Sequence, residues 1–221
     1  MNVMDALNSR FTCRTFKPEP VDRNTIYTVL EGALRAPSWA NTQPWEIFVA
    51  SGSALQRLRE AYLGNFSKNV PVNPDISRPQ EWPPALKERT QELGRKRFNA
   101  LGIDRNDEQG RRALTELNFK FFGAPTVIFL CMDRTLTAWS MFDLGLLAQS
   151  IMLAAAQYGL GTATAVQMAA YPDLIRAELG VPPELAIVIG IALGYIDYEH
   201  PQNKFRSPRR PISEVVRFID L

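Results

Sequence analysis

The stretch Ala124-Pro-Thr-Val-Ile-Phe-Leu-Cys-Met132 decides the fold class. A strand with one wet face alternates apolar and polar residues. Here every residue from Val127 to Met132 is apolar, so both faces must be covered. Leu185–Leu193 reads the same way, and Glu46–Ala50 and Thr162–Val166 read as shorter strands. Helical patterns surround them. Met1–Ser9 is amphipathic, Asp22 caps a helix reaching about Arg35, and another helix starts at Ser53 with Leu55, Leu58 and Tyr62 inward. Pro84–Leu101, Asp107–Phe122, Ser140–Tyr158 and Pro172–Leu179 follow, the last stopped by Gly180. Long helices around a few buried strands, without regular βαβ alternation, predict an α+β fold.

The chain has 221 residues, 46% apolar and 22% charged, which suits one large domain with its own core. A net charge of +2 gives no electrostatic case for nucleic acid or a membrane surface. Cys13 and Cys131 are too far apart in sequence to suggest a disulfide framework, and with no apolar leader at the N-terminus a cytoplasmic setting is expected. Leu144–Pro172 is uncharged, but Gln149, Ser150, Gln157, Gly159 and Gly161 interrupt it, so it reads as a buried helix and strand rather than a membrane span. Ser140–Tyr158 is apolar nearly all round, the pattern of a helix buried mid-fold or at a subunit interface. The segment 62–112 is polar, with five prolines between Asn65 and Pro84, and is too short for a core of its own. It is read as an excursion from a single domain spanning 1–221, with Trp82 and Phe98 as its large apolar side chains.

The usual catalytic signatures are missing. There is no phosphate-binding P-loop, no Gly-x-Ser-x-Gly elbow, no metal-ligand spacing and a lone histidine, His200. If the chain is an enzyme, its chemistry belongs to a bound organic cofactor. Two stretches could receive one. In Arg10-Phe-Thr-Cys-Arg14, two arginines flank a hydroxyl, and guanidinium forks suit phosphates and polarised carbonyls. Without a second signal, a solvated basic turn is the simpler reading. Ala36-Pro-Ser-Trp-Ala-Asn-Thr-Gln-Pro-Trp45 sets polar side chains between two indoles, which fits a planar ligand as well as it fits an ordinary Pro-rich turn.

Taken together, five stretches in order resemble the nitroreductase-like flavoproteins. They are Arg10–Phe16, Ala36–Trp45, Asn118–Pro125, Gly159–Thr162 with Tyr171-Pro172 and Ile191–Tyr195, and Arg206–Pro211. The resemblance implies an α/β sandwich with a central, mostly antiparallel sheet, and an intertwined homodimer holding one FMN per subunit at its interface. By position, Arg10, Phe11, Thr12 and Arg14 would contact FMN from phosphate to pyrimidine, and Asn118 would meet the pyrimidine edge. The backbone at Ala165, Val166 and Gln167 would approach flavin N5, and Arg206 and Arg209 would hold the phosphate. Pro37, Ser38, Trp39 and Asn41 would reach the flavin from the second subunit. Thr12 stands where the family pattern has serine, and Ala165–Gln167 departs from that pattern.

The implied activity is a ping-pong, two-electron reduction. NADH or NADPH would give a hydride to flavin N5, and a nitroarene or related oxidised aromatic would then take the electrons. No side chain is assigned as a catalytic acid or base, and no metal is expected. The segment 62–112 would form a lid, with Trp39, Trp82 and Phe98 as substrate walls. This segment resembles the kind of insert seen in nitrobenzoate-reductase-type members. The alternatives are a reductive dehalogenase of iodotyrosine type on the same fold and, outside enzymes, a non-catalytic flavin-binding module.

Overall fold

A computed structural model describes residues 1–104 and 106–219. Four strands form one antiparallel sheet in the order β1-β2-β4-β3, where β1 is Glu46–Ser51, β2 Thr126–Asp133, β3 Leu160–Ala165 and β4 Leu185–Tyr195. As the sequence predicted, β2 is covered on both faces. Val127, Phe129 and Cys131 point into one core cluster, and Ile128, Leu130 and Met132 into another. The first cluster is closed by helices α3 (Gly52–Ser67), α5 (Glu108–Phe119) and α7 (Pro172–Leu179) through Leu55, Leu58, Tyr62, Phe119 and Ile175. The second is closed by α2 (Arg23–Ala33) and α6 (Ala138–Gln157) through Val29, Ala33, Leu144, Leu147 and Ile151. A short N-terminal helix, α1 (Val3–Ser9), and an outlying helix, α4 (Pro84–Ala100), complete the frame.

Local signals behave as their chemistry requires. The Asp22 side chain accepts from Thr25 N–H at 2.9 Å, and Gly180 takes φ +67° to end α7. Two expectations need correction. The helix expected over Asp107–Phe122 ends at Phe119, because Phe121 and Phe122 adopt φ of +52° and +56°. Left-handed backbone costs about 1–2 kcal/mol per residue. Burial of both rings offsets it, with Phe121 4.8 Å from the Tyr62 ring. The two indoles of Ala36–Trp45 also part company: Trp45 is buried in the core, whereas Trp39 is exposed.

Helix α6 buries one face. Its Trp139 and Phe142, and Tyr158 just past its end, stay exposed at 66%, 63% and 47%, so a single chain leaves a broad apolar surface there. It is long and apolar enough to cross a membrane, yet it carries the buried Asp143 and packs on the sheet.

The excursion is tethered more firmly than its sequence suggests. Tyr62, its first residue, is core: its hydroxyl donates to the Met168 carbonyl at 2.7 Å. The Asp75 carboxylate receives Arg134 at 2.8 Å, Arg176 at 2.6 Å and Ile187 N–H at 2.8 Å. Burial pushes this carboxyl up, but the bonds from Arg176, Ile187 and Arg134 outweigh it and hold it below the usual range. Removing one partner of a partly buried, hydrogen-bonded pair leaves its counterpart uncompensated, at a cost of about 1–3 kcal/mol. Asp75→Asn should therefore destabilise the protein by about 1–3 kcal/mol in urea unfolding at pH 7. Because the folded carboxyl is depressed, its stabilisation is whole above the unfolded-chain value of about 3.9 and is lost as pH falls through the folded value. The gap between wild type and variant should close over that range, and a gap unchanged in acid would remove the charge as its cause.

Candidate functional site

The Arg10–Phe16 segment is extended and lies along the sheet. Thr12 forms a parallel bridge with Thr162 on β3, and Cys13 N–H donates to the Thr162 carbonyl at 2.9 Å. The approach is close enough that Gly161 must lack a side chain: a Cβ there would sit 2.6 Å from Ile196 Cγ1 and 2.9 Å from Cys13 Sγ. Cys13 and Phe16 are buried, while Thr12 and Arg14 beside Cys13 remain partly open. Burial raises the Cys13 thiol to about 11, so it is an inert core group.

The tail closes over this segment. In the turn Pro201–Asn203, the buried Asn203 side chain accepts Arg14 N–H at 2.8 Å and donates to the carbonyls of Thr15 at 2.7 Å and Asp197 at 2.8 Å. The ring of His200 caps the same turn: Nδ1 accepts Gln202 N–H and lies 3.2 Å from Thr15 Oγ1. Past the turn, the Arg206 guanidinium stacks 3.5 Å above the Phe11 ring. Arg209 folds onto its own turn, donating to Ser207 Oγ at 2.8 Å.

The segment and tail together gather cations. Burial first, then the charge of Arg209, lowers the Arg10 guanidinium, so these two lie within electrostatic reach. Burial also lowers Arg14. A further cation comes from α4: Arg97 Nη2 donates to Gln202 Oε1 at 2.9 Å, and burial followed by the Arg14 charge pushes Arg97 down to about 10. Among the described residues none of Arg10, Arg14, Arg97 and Arg209 has a carboxylate partner within 4.0 Å. Arg10 Nε is buried with no hydrogen-bond acceptor. An unspent guanidinium donor in a desolvated, all-positive setting is the complement of an anionic oxygen such as a phosphate's.

A second feature is apolar. Pro37, Ser38, Trp39, Trp139, Phe142, Asp143 and Leu146 line a cavity of about 570 Å³ that shares no residue with the arginine group. Trp39 meets Trp139 edge-on at 6.1 Å. The loop is held from below: Asp143 accepts Trp39 N–H at 3.2 Å, and Ser38 Oγ accepts Gln43 N–H at 2.9 Å. Asn41 adopts φ +55°, a conformation that asparagine tolerates well.

The remaining expected residues are more scattered. Asn118 sits on the last turn of α5 and donates back to the Leu114 and Thr115 carbonyls, while α5 packs against the turn Val166–Ala169. Ala165 ends β3, Val166 is exposed, and Gln167 accepts from Arg78 at 2.8 Å. Trp82 is half-exposed, and Phe98 lies under the Arg111 guanidinium. Sequence reasoning missed Asn203, Asp143 and Arg97. Only Arg97 carried a usable signal. Its helix neighbours three and four residues away are Leu93, Gly94, Ala100 and Leu101, none of them acidic, whereas Lys96 has Glu92.

An α+β sandwich with arginines lacking carboxylate partners among the described residues, and with an aromatic groove, has the makeup of a cofactor-binding protein. The chain matches the Nitroreductase family over residues 7–195 and belongs to that family. It is 35% identical to a 4-nitrobenzoate reductase of Pseudomonas putida, over 96% of this chain and 92% of that one. It is 34% identical to a nitrobenzene nitroreductase of Ectopseudomonas oleovorans, over 97% and 96%. The crystal structure of the FMN- and NADPH-dependent nitroreductase NfnB from Sphigopyxis sp. strain HMH superposes with a TM-score of 0.95 at 31% identity, over the whole of both chains.

Asn203 is the joint of this site. Asn203→Ala would strand a buried N–H and two carbonyls, so unfolding free energy should fall by about 1–3 kcal/mol. Chemical denaturation measures it, and an unchanged midpoint would show that water satisfies these groups.

Proposed function

We propose that the arginine-lined site holds FMN and that the protein is an NAD(P)H-dependent nitroreductase acting on nitroaromatic compounds as a homodimer. The buried, unpartnered Nε of Arg10 beside Arg209 carries this reading. It offers a phosphate dianion the charge-assisted hydrogen bonds that the protein itself leaves unmade. Bound there, FMN supplies two-electron hydride chemistry between the nicotinamide and the nitro compound.

The chain's own groups bind and orient. Arg10, Arg206 and Arg209 take the phosphate, Thr12 offers a hydroxyl beside it, and Phe11 supports Arg206 through its ring. Arg14 and Asn118 serve the pyrimidine edge, and the backbone from Ala165 to Gln167 borders the reacting face. Pro37, Ser38, Trp39 and Asn41 come from a second copy, because in one chain their groove is separate from the arginines. The exposed face of α6 gives that copy an apolar surface to cover, as an obligate interface requires. The 62–112 segment forms the lid, with Trp82 and Phe98 as walls. Water supplies the protons. The free, buried thiols of Cys13 and Cys131 suit the cytoplasm.

Purified protein should be yellow, elute as a dimer and release FMN, not FAD, on denaturation. It should also oxidise NADH or NADPH when given a nitroarene. Colourless protein that takes up no added FMN would overturn the reading, and bound FMN without turnover would make it a flavin-binding module. Arg209→Ala should weaken FMN by about 1.5–3 kcal/mol while sparing riboflavin, which lacks the phosphate. Equal losses for both would place Arg209 elsewhere.

A further inference from the structure

We propose that Arg97 of helix α4, beside the Arg14 that serves the flavin's pyrimidine edge, receives the carboxylate of an anionic nitroaromatic substrate. The inference rests on the nitroreductase reading above and names the substrate class that the site prefers.

Both residues are fastened to one three-residue turn. Gln202 accepts from the Arg97 guanidinium at 2.9 Å, and its neighbour Asn203 accepts the Arg14 N–H at 2.8 Å. Gln202 and Asn203 are both buried, so the two side chains leave a rigid base. Gln202 occupies only one of the five N–H donors of Arg97. Among the described residues neither guanidinium has a carboxylate within 4.0 Å. Both are partly shielded from water, and the charge of Arg14 acts on Arg97. Gathering two such cations without a counter-ion is unfavourable, and a bound anion removes the penalty.

The flavin phosphate is not that anion, since Arg10 and Arg209 answer it as a separate pair. Position selects among the rest. A fork set beside the flavin ring suits a small anion fixed directly to an aromatic ring, and a carboxylate matches a guanidinium fork in two-pronged geometry. The ribose phosphate of NADPH lies at the far end of a long dinucleotide from its nicotinamide, and so fits a fork beside the reacting ring poorly. Arg97 also arrives on the lid, the element that faces substrate. The relatives do not settle the choice: the one named for a carboxylate-bearing nitroarene and the one named for a neutral nitroarene are 35% and 34% identical to this chain.

The test uses the FMN-loaded protein. Benzoate and benzamide are non-reacting probes of equal shape, read through the absorbance change of the bound flavin. Wild type should bind benzoate at least about tenfold more tightly than benzamide, the size of one charge-assisted hydrogen bond. The kcat/KM ratio of 4-nitrobenzoate to 4-nitrobenzamide should fall at least about tenfold in Arg97→Gln, and Arg97→Lys should restore part of it. The loss should appear in KM. Equal binding of the two probes by wild type would overturn the inference without any variant. So would an Arg97→Gln protein that loses FMN or loses both nitroarenes equally, because Arg97 would then serve the cofactor or the fold. If wild type reduces neither nitroarene, the nitroreductase reading fails first; if it reduces both without preference, only this inference does.

Discussion

The site depends on one buried amide. Asn203 spends its carbonyl on the Arg14 N–H and its two donors on the carbonyls of Thr15 and Asp197. It thereby ties the N-terminal segment, the chain leaving β4 and the basic tail into a single joint. Guanidinium groups repel one another, and burial makes each more costly. They stay gathered only because their backbones are fixed by bonds that do not involve the charges. The bridge of Thr12 to Thr162 does the same from the sheet side, and Gly161 makes room for it.

The two features of the site lie apart within one chain, and the packing of α6 explains why. Its inner face closes the core beneath β2 and β4, whereas its outer face carries Trp139 and Phe142 beside Trp39. A helix with both faces apolar reads like a membrane span. Asp143 marks the difference: its carboxylate faces a backbone N–H of the Trp39 turn, a polar contact that fixes the aromatic loop at a set height on the helix. The groove so formed is open to whatever covers α6, and the Arg10–Arg14 segment lies apart from it, bridged to the edge strand β3.

What could be read from the sequence was local or periodic. The double-faced apolar run of β2, the Asp22 cap and the Gly180 stop are decided by neighbours within a few residues, and all three stand where expected. The arginine motif was legible as chemistry, though its fastening was not. The bond from Arg14 to Asn203 spans 189 positions, that from Arg97 to Gln202 spans 105, and that from Arg176 to Asp75 spans 101. Nothing local distinguishes these polar residues from solvated ones. The bend at Phe121 and Phe122 was hidden for a related reason. Their burial against Tyr62 and Phe129 overrides a backbone preference that favours continuing the helix.

The excursion is held in two physically different ways, and this bears on how it can act. Asp75 anchors its first part through two partly buried ion pairs and a β4 amide, an arrangement whose loss costs about 1–3 kcal/mol. Among the described residues, helix α4 buries none of its own, and its hydrogen bond to the tail runs from Arg97 to a neutral amide oxygen at 2.9 Å. A bond of that kind contributes about 1 kcal/mol net. Local opening free energies follow such differences, so α4 can leave the tail at less cost than the Asp75 segment can leave the sheet. The cation that α4 carries beside Arg14 lowers that cost further, since the two repel. A negative group bridging Arg97 and Arg14 would offset that repulsion and hold α4 to the tail more firmly. The position of α4 is thus sensitive to the charge beside it, and this needs no hinge of special sequence.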